Sequence, residues 1–421
     1  MKFYVKLVSV LASLLYCTVS AAAVPVNPIA AALQQNLWTK RDAYDAAHVL
    51  MVPLHFAYVK EDSELIGEFR RFVNRFLDDK HREPLGLLTE LQFSYLLSRF
   101  VVLETYRKQC SPLARRGSVH LTARLVEALR SPAWQWGRPA FTSMFERLKW
   151  KLNQSETKPS YLKAIIDEEL FAMAIAADLS SSLPVCGLAV PEELRQALDL
   201  AEIVFRQEGE STPYGWVFQP GVWRDHPDYQ YAGNMDLRKD LEKKVVAGIG
   251  VDSSHSARLP LWLRSLQCAA PASKRDLYGG IVDQLKGQLM HVVIETPTEK
   301  FPGVRLRNFM TGHNGVYRYG YRTIGEGGGY EPYGLSFTFN LGWWAFLGEA
   351  MAPLYRQQAN MLPFADRVIQ LYTQPRTTAP DKARVRNPAF ETSSYLKGSL
   401  IESVLRSAEA VAKHPMSCQE D

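Results

Sequence analysis

Apolar residues recur every three or four positions along most of this chain, which is the spacing of helices that bury one face. The pattern continues with few interruptions to about residue 207, and it resumes after the segment 208–234. Its clearest stretch follows Pro191, because proline is favoured in the first turn of a helix. The apolar stripe of this predicted helix consists of Leu194, Ala197, Leu198, Ala201, Val204 and Phe205.

The same spacing predicts roughly a dozen helices, separated by short polar or Pro/Gly breaks. The alternating pattern of strands is almost absent, and Asn314-Gly315 is the one candidate hairpin turn. The predicted fold class is therefore all-α. The remaining helices are predicted at residues 44–58, 64–77, 87–106, 119–129, 139–152, 161–179, 236–247, 255–267, 274–293, 335–355, 364–372 and 393–413.

Helices in hairpin order suit an (α/α) toroid, in which inner helices form a barrel wall and long loops at one end form a cleft. The alternative is an open solenoid of helix pairs, but the sequence has no repeat at a fixed period. We therefore expect residues 24–421 to form a single α/α-toroid domain with long cleft-forming loops.

The N-terminus has the pattern of a secretory signal peptide. Lys2 and Lys6 come before an apolar stretch at residues 7–19, and small residues follow at 20–23. This stretch is shorter than the roughly 20 residues of a membrane span, which disfavours the alternative of a membrane anchor. We expect cleavage of residues 1–23, a periplasmic or secreted protein, and no membrane span after cleavage.

Composition and charge exclude several classes of protein. With 47% hydrophobic and 22% charged residues, the chain is neither collagen-like, coiled-coil nor largely disordered. The net charge of +5 falls to about +3 when Lys2 and Lys6 are removed with the signal peptide. Since no run of basic residues is present, no nucleic-acid partner is expected. We also expect the protein to be a monomer.

Four cysteines remain after signal cleavage. They lie far apart and have no zinc-ligand spacing, so no metal is expected. An oxidising compartment allows two disulfides in any of three pairings. The four residues are Cys110, Cys186, Cys268 and Cys418.

Two long segments interrupt the helical pattern. The first is rich in Gly, Pro, Trp, Tyr and Asp, and the second in Gly, Tyr and Arg. Such loops commonly carry function on a rigid scaffold. The first, at residues 208–234, combines flat aromatic faces with polar groups that suit a carbohydrate. The alternative is that its aromatic side chains only fill space beneath the loop. Its candidate substrate-binding residues are Trp223, Arg224, His226, Tyr229 and Asn234.

The second segment, at residues 295–334, concentrates arginines, tyrosines and one histidine. It lacks the spacing and the lysine of a phosphate-binding loop. The alternative is a structural loop ordered by stacking of arginine on tyrosine. Its candidate residues are Arg307, His313, Asn314, Arg318, Tyr319, Arg322 and Tyr333.

Between these segments, Asp252 or Ser253 is a candidate cap for a helix that carries His255 and Arg258 one turn apart on the same face. A histidine in such a position is more often a packing residue than a catalyst. It gains interest because both neighbouring segments are candidate walls of a cleft.

These groups suit β-elimination on a polysaccharide that contains uronic acid. Asn or Arg would neutralise the uronate carboxylate, which stabilises the carbanion-like transition state at C5. A His or Tyr base would remove the C5 proton, and a Tyr hydroxyl can protonate the leaving O4. The reaction requires neither a metal nor an organic cofactor. The candidate catalytic residues are Tyr333, His255, His313, Asn314, Tyr319 and Arg318, and the candidate substrate-binding residues are Trp223, Arg224, His226, Tyr229, Asn234, Arg258, Arg307 and Arg322.

Several short motifs resemble the α/α-toroid polysaccharide lyases that act on hyaluronan, chondroitin and xanthan. The motifs are Ala232-Gly233-Asn234-Met235-Asp236, Asn314-Gly315-Val316-Tyr317 and Tyr330-Glu331-Pro332-Tyr333-Gly334. The resemblance implies an acidic polysaccharide as substrate and Tyr333 as base or acid. Asn314 replaces the family's aspartate and its motif histidine falls on Gly320 or Tyr321, which leaves the histidine role to His255, His313 or His226. A fainter resemblance, to alginate lyases, is carried by Ser254-His255-Ser256.

The leading hypothesis is therefore a secreted lyase that cleaves an acidic polysaccharide. One alternative is a glycoside hydrolase on the same fold, which needs two carboxylates across a cleft. The other is a carbohydrate-binding protein of the envelope without catalytic activity. The candidate carboxylates of a hydrolase are Asp225, Asp252, Glu326 and Glu331.

Overall fold

A computed structural model describes residues 27–40, 42–106, 109–136, 138–336, 339, 342–372, 399–414 and 418. The predicted signal peptide at residues 1–23 lies outside the described residues. Among the described residues, no helix is both long enough and apolar enough to cross a membrane.

The first half of the chain is a series of helices with short connections. Several begin at a side chain that accepts a hydrogen bond from the first turn, as Asp62, Ser111 and Ser143 do for α3, α5 and α6. The helices are α1 (Pro28–Leu33), α2 (Ala43–Val59), α3 (Ser63–Asp78), α4 (Leu87–Thr105), α5 (Pro112–Arg130), α6 (Met144–Leu152), α7 (Asp167–Val185) and α8 (Glu192–Gln207).

The second half alternates helices with long irregular segments. Its helices are α9 (Ser253–Ser256), α10 (Leu259–Ala269), α11 (Ala272–Gln288), α12 (Ala352–Asn360), α13 (Asp366–Tyr372) and α14 (Ser399–Lys413). A π-helical turn at Leu289–Val293 extends α11, and 3₁₀ turns lie at Ser160–Lys163, Trp343–Leu347 and Glu349–Met351.

Strands are few and short among the described residues, and they form three antiparallel pairs. The pairs are β1 (Ala133–Gln135) with β2 (Arg138–Phe141), β3 (Gly209–Ser211) with β4 (Trp216–Phe218), and β5 (Ile294–Glu295) with β6 (Arg305–Leu306). The prediction of a mostly helical, all-α fold is confirmed.

Four helices, α2, α4, α7 and α10, form the centre of the core. In α7 every residue from Glu169 to Leu179 is buried, so this helix contacts protein on all sides along that stretch. Contacts run in order from α2 to α4, α7 and α10. From α10 they continue to the 3₁₀ turn at Trp343–Leu347, then to α14 and back to α2. The amphipathic helices α3, α5, α8 and α11 pack outside these elements.

Two helix predictions are wrong. Residues 236–247 form turns and extended chain, because their charged side chains are mostly exposed and Leu241 is the only buried member. Residues 335–355 are broken where they are described, since Gly342 and Gly348 adopt φ values of 85° and 96°, which an α-helix does not contain. The helix of that region, α12, begins at Ala352.

Two other helices begin later than predicted. The predicted helix at 139–152 begins at Met144, because residues 138–141 pair with β1 in a hairpin. The predicted helix at 161–179 begins at Asp167 and extends to Val185. Its first turn is acidic, and Glu169 accepts a hydrogen bond from the Ile166 amide at 2.9 Å.

The cysteines form the bridges Cys110–Cys186 and Cys268–Cys418, one of the three possible pairings. The bridges join residues separated by 76 and 150 positions, so each restricts a long loop of the unfolded chain. The bridge Cys110–Cys186 also links the segment that follows α4 covalently to the C-terminal end of α7.

Replacing both Cys110 and Cys186 with serine is expected to lower the free energy of unfolding by about 2–4 kcal/mol. Urea unfolding of the variant and of the wild type, both without reductant, measures this difference. Adding reductant should destabilise the wild type more than the variant, which retains only one bridge. Equal stability of the two proteins without reductant would contradict the assignment.

Two histidines of α2 lie inside the protein. Burial lowers the pKa of His55 well below its ordinary value of 6.5, and the charge of Arg99 lowers it further. Burial, together with the charge of Arg258, also lowers the pKa of His48. Both imidazoles are therefore neutral in the folded protein at neutral pH.

This burial predicts acid sensitivity. Below pH 6.5 the unfolded chain binds protons at these histidines and the folded protein does not, so stability is lost as the pH falls. Each histidine is expected to contribute up to about 1.4 kcal/mol per pH unit to this loss. His55→Gln should flatten the dependence of unfolding free energy on pH between 7 and 5, measured by urea unfolding. A folded His55→Gln protein with the same slope as the wild type would contradict this account.

Candidate functional site

A cavity of about 210 Å³ lies where the irregular segments meet the N-terminal end of α7 and the beginning of α10. The turn of the β1–β2 hairpin closes one side with Trp136. The polar and aromatic residues of its wall are Trp136, Asp167, Glu168, Phe218, Trp223, His226, Asp228, Tyr229, His255, Ser256, Trp262, Tyr317 and Arg318.

His255 and Asp252 form a hydrogen-bonded pair at this cavity. The Asp252 carboxylate caps the short helix α9, accepting hydrogen bonds from the amides of Ser254 at 3.0 Å and His255 at 3.1 Å. Its other oxygen, Oδ2, lies 2.7 Å from His255 Nδ1. An ionised carboxylate only accepts hydrogen bonds, so Nδ1 carries the proton and Nε2 is left as the basic nitrogen.

The two members of the pair differ in exposure. Asp252 is completely buried, whereas the His255 side chain is 29% exposed and lines the cavity. Burial by itself raises the pKa of Asp252, but the charge of His255 and hydrogen bonds from His255 and Ser254 outweigh it. The pKa of Asp252 therefore lies well below its usual range. Asp252 is accordingly a fixed negative charge behind the imidazole.

Two tyrosines complete the surroundings of Asp252. The hydroxyls of Tyr229 and Tyr317 donate hydrogen bonds to Asp252 Oδ2 at 2.9 Å and 3.2 Å. Burial raises the pKa of both hydroxyls well above 10, and the negative charge of Asp252 adds to this effect. Both tyrosines are therefore hydrogen-bond donors at neutral pH, and neither is a base.

Arg318 brings a positive charge to the cavity wall. Its Nε lies 2.8 Å from Asp228 Oδ2, and its guanidinium packs over the rings of Tyr317 and Tyr321. Burial lowers the pKa of Arg318, but neighbouring groups, including Asp228 and Asp252, raise it overall, so the guanidinium stays charged. The backbone of Arg318 has φ 54°, a left-handed conformation that is costly for a residue with a long side chain.

Arg258 fixes Asp167, a carboxylate that also lines the cavity. The buried guanidinium forms an ion pair with Asp167, and its Nη2 lies 2.7 Å from Nε2 of His48. Because His48 is neutral, it accepts this hydrogen bond. Asp167 Oδ2 in turn lies 3.9 Å from His255 Nε2, so this carboxylate adjoins the basic nitrogen.

Aromatic rings form the rest of the wall. Trp223 stacks on Tyr229 with ring centres 5.4 Å apart, and Trp136 meets His226 edge-on at 5.5 Å. Burial lowers the pKa of His226 despite the nearby charge of Asp228. Flat apolar faces next to charged groups are a common arrangement for holding sugar rings.

The structure brings five of the predicted site residues together in this cavity wall: Trp223, His226, Tyr229, His255 and Arg318. Arg258 lies directly behind the wall through its contact with Asp167. The alternative, in which the aromatic side chains of residues 208–234 only fill space beneath the loop, is also correct in part. Tyr229 belongs to a small apolar cluster with Phe309 and Tyr317.

Three predicted residues hold the irregular segments together. Asn314 Oδ1 accepts hydrogen bonds from the backbone amides of Asn308 and Tyr333. Asn234 Nδ2 donates to the Tyr231 and Glu242 carbonyls, and the Tyr319 hydroxyl accepts a hydrogen bond from the Leu241 amide. None of the three belongs to the described residues that line the cavity.

The remaining predicted residues also lie outside the cavity wall. Arg307 pairs with Glu295 at 2.8 Å, and Arg224 donates to the Gly221 carbonyl at 3.4 Å. His313 and Arg322 are exposed. Tyr333 packs beneath the guanidinium of Arg305 and has a left-handed backbone with φ 65°. Its catalytic role remains a prediction from the resemblance.

Several residues of the site were not identified from the sequence as functional groups, among them Trp136, Asp167, Asp228 and Tyr317. Asp228 and Tyr317 lie within the two irregular segments, which were already candidate walls of a cleft, so their position in the sequence could have identified them. Asp167 begins the acidic first turn of α7, a signal that was lost because the helix was predicted to begin six residues earlier. Trp136 lies in a segment without any such signal.

The described residues contain no group of three or more His, Cys, Asp or Glu side chains arranged to hold a metal ion. Comparisons with protein families, with curated proteins and with solved structures found no match to this chain.

Proposed function

We propose that this protein is a polysaccharide lyase that cleaves a uronate-containing polymer by β-elimination, with His255 as the base. The observation that carries the proposal is the position of His255. Its Nδ1 is bound to the buried Asp252 while the ring lines an aromatic cavity. An imidazole held in this way is fixed in orientation and tautomer by the carboxylate behind it.

The proposed architecture is a closed (α/α) toroid. Its support is the order of contacts, which runs from α2 through α4, α7 and α10 and returns through α14 to α2. In such an arrangement the irregular segments lie together at one end of the ring, where the cavity is found. The wall of a closed ring would hold His255, Asp167 and Arg318 in fixed relative positions.

In the proposed reaction, His255 Nε2 removes the proton at C5 of the uronate. The electron pair of that C–H bond forms the C4–C5 double bond as the C4–O4 bond breaks, and protonated His255 returns the proton to O4. Arg318 would stabilise the charge that develops on the substrate carboxylate. The volume of the cavity suits a sugar ring at the reacting position, with the rest of the polymer outside.

We further propose a secreted or periplasmic protein that acts as a monomer on an acidic polysaccharide. Two disulfides support an oxidising compartment, since such bridges are rare in the cytosol.

The second candidate function is glycoside hydrolysis. The observation in its favour is that three carboxylates, Asp167, Glu168 and Asp228, line the same cavity. Asp167 and Asp228 form ion pairs with Arg258 and Arg318 respectively. In this alternative Asp167→Asn and Asp228→Asn would each abolish cleavage, and the products would be saturated.

A panel of uronate polymers tests these proposals. The purified protein is incubated with each polymer while ultraviolet absorbance reports unsaturated uronate and a separate assay reports reducing ends. Elimination produces both signals, hydrolysis produces reducing ends alone, and a binding protein produces neither. Tyr333→Phe tests the resemblance: loss of activity in this variant, with full activity in His255→Gln, would transfer the role of base from His255 to Tyr333.

A further inference from the structure

A second and larger cavity, of about 410 Å³, lies at the other end of α7. The first cavity is lined by residues at the beginning of α7, whereas this one is lined by Asp178, Ser180 and Ser182 near its end. Its volume falls within the range of small-molecule sites. It shares no described lining residue with the first cavity, so the two spaces are separate.

The charged groups of this cavity are predominantly positive. Arg99, Arg264 and Arg275 line it, and Asp178 is the one carboxylate among its described lining residues. Arg99 and Asp178 are bound to each other at 2.6 Å and are both buried. Their charges cancel, so this pair supplies no net charge to the cavity.

Arg264 has no carboxylate partner within ion-pair distance among the described residues. Its Nε donates to the Phe346 carbonyl at 2.8 Å, which satisfies one of its five N–H groups but does not neutralise its charge. Burial lowers the pKa of Arg264, and the more distant charge of Asp283 offsets this only in part. A partly buried cation without a counter-ion gains free energy when an anion binds beside it.

A second observation also indicates a missing partner. The hydroxyl oxygen of Ser180 is buried and has no hydrogen-bond partner among the described residues, although Ser180 lines this cavity. Buried hydroxyls almost always form a hydrogen bond. A ligand oxygen in the cavity would provide one.

We propose that this second cavity binds a small anion that carries a phosphate or carboxylate group, with Arg264 as its principal cationic contact. The planar guanidinium matches either group, since both present two oxygens to parallel N–H donors. The site is independent of the cavity that contains His255.

Thermal unfolding with increasing inorganic phosphate or citrate tests this proposal, with potassium chloride at matched ionic strength as the reference. The wild type should show saturable stabilisation by at least one anion, with a Kd of about 1 mM or tighter. Stabilisation by phosphate alone or citrate alone identifies the preferred group. If neither anion stabilises the protein beyond the chloride reference, the proposal is overturned.

Substitutions test whether the stabilising anion binds in this cavity. Arg264→Gln should weaken binding at least about tenfold, because it removes a charge-assisted contact. Arg195→Gln removes the same charge from the exposed face of α8, where Arg195 pairs with Glu192, and should bind as the wild type does. If Arg264→Gln does not fold, Ser180→Val replaces the unpartnered hydroxyl with methyl groups and should weaken binding. If Arg264→Gln folds and binds the anion as tightly as the wild type, the proposal is overturned. If it does not fold, wild-type affinity in Ser180→Val overturns the proposal.

Discussion

Replacing His255 with glutamine is expected to lower kcat on the polymer that the wild type cleaves by about 10³-fold, within the range measured for loss of a general base. Glutamine preserves hydrogen bonding to Asp252 but has no basic nitrogen at the position of Nε2. KM should change little, because the aromatic wall and Arg318 are retained. Initial rates of formation of unsaturated product measure both constants.

The control for this variant is His291→Gln, because His291 is exposed and lies outside the cavity. It should retain wild-type kcat. Thermal unfolding of both variants establishes that they are folded. A folded His255→Gln protein with wild-type kcat would show that the base is another residue.

Replacing Glu169 with glutamine is expected to lower the free energy of unfolding by about 3–5 kcal/mol, because it leaves the buried Lys151 without its counter-ion and the buried Arg147 with only the partly exposed Glu168. Glu169 lies 2.8 Å from Arg147 and 2.8 Å from Lys151, and all three side chains are completely buried. Burial also lowers the pKa of Lys151 to about 8, and the charge of Glu169 opposes this effect. Without Glu169, Lys151 should lose its proton more readily.

Glu168→Gln is the matched control. Glu168 also pairs with Arg147, at 3.0 Å, but its side chain is partly exposed, so its loss should cost about 1 kcal/mol or less. Urea unfolding of the two variants measures the difference. Equal destabilisation by both variants would show that burial does not determine the strength of these ion pairs.

The ion pairs of Glu169 with Arg147 and Lys151 lie close to the cavity that His255 lines. Glu169 holds the first turn of α7, where the adjacent Asp167 contacts Arg258 and lies near His255. Loss of Glu169 should therefore disturb the cavity as well as the core.

The helical architecture could be predicted from sequence because its signal is local. The stripe from Leu194 to Phe205 is repeated with the same spacing in most other helices, and α8 forms as predicted. The failed predictions at 236–247 and 335–355 lie where charged residues or left-handed glycines interrupt the helix. There, contacts between distant segments determine the backbone, as when the amide of Lys244 donates to the Gln230 carbonyl.

The site could be predicted only in part, since its residues are distant in sequence. His255 and Arg318 were identifiable from their surroundings in the chain. Asp167 and Trp136 reach the cavity only through folding, one at the start of α7 and the other at a hairpin turn. The pairing of Asp252 with two tyrosines likewise joins three separate segments, and no spacing in the sequence indicates it.

Cleavage in water labelled with heavy oxygen tests the central claim most directly. Elimination breaks the bond between C4 and O4 without adding water, so mass spectra of early products should contain unsaturated fragments with no labelled oxygen. Hydrolysis adds one labelled oxygen to each new reducing end. Early products that are saturated and carry the label would contradict elimination at His255.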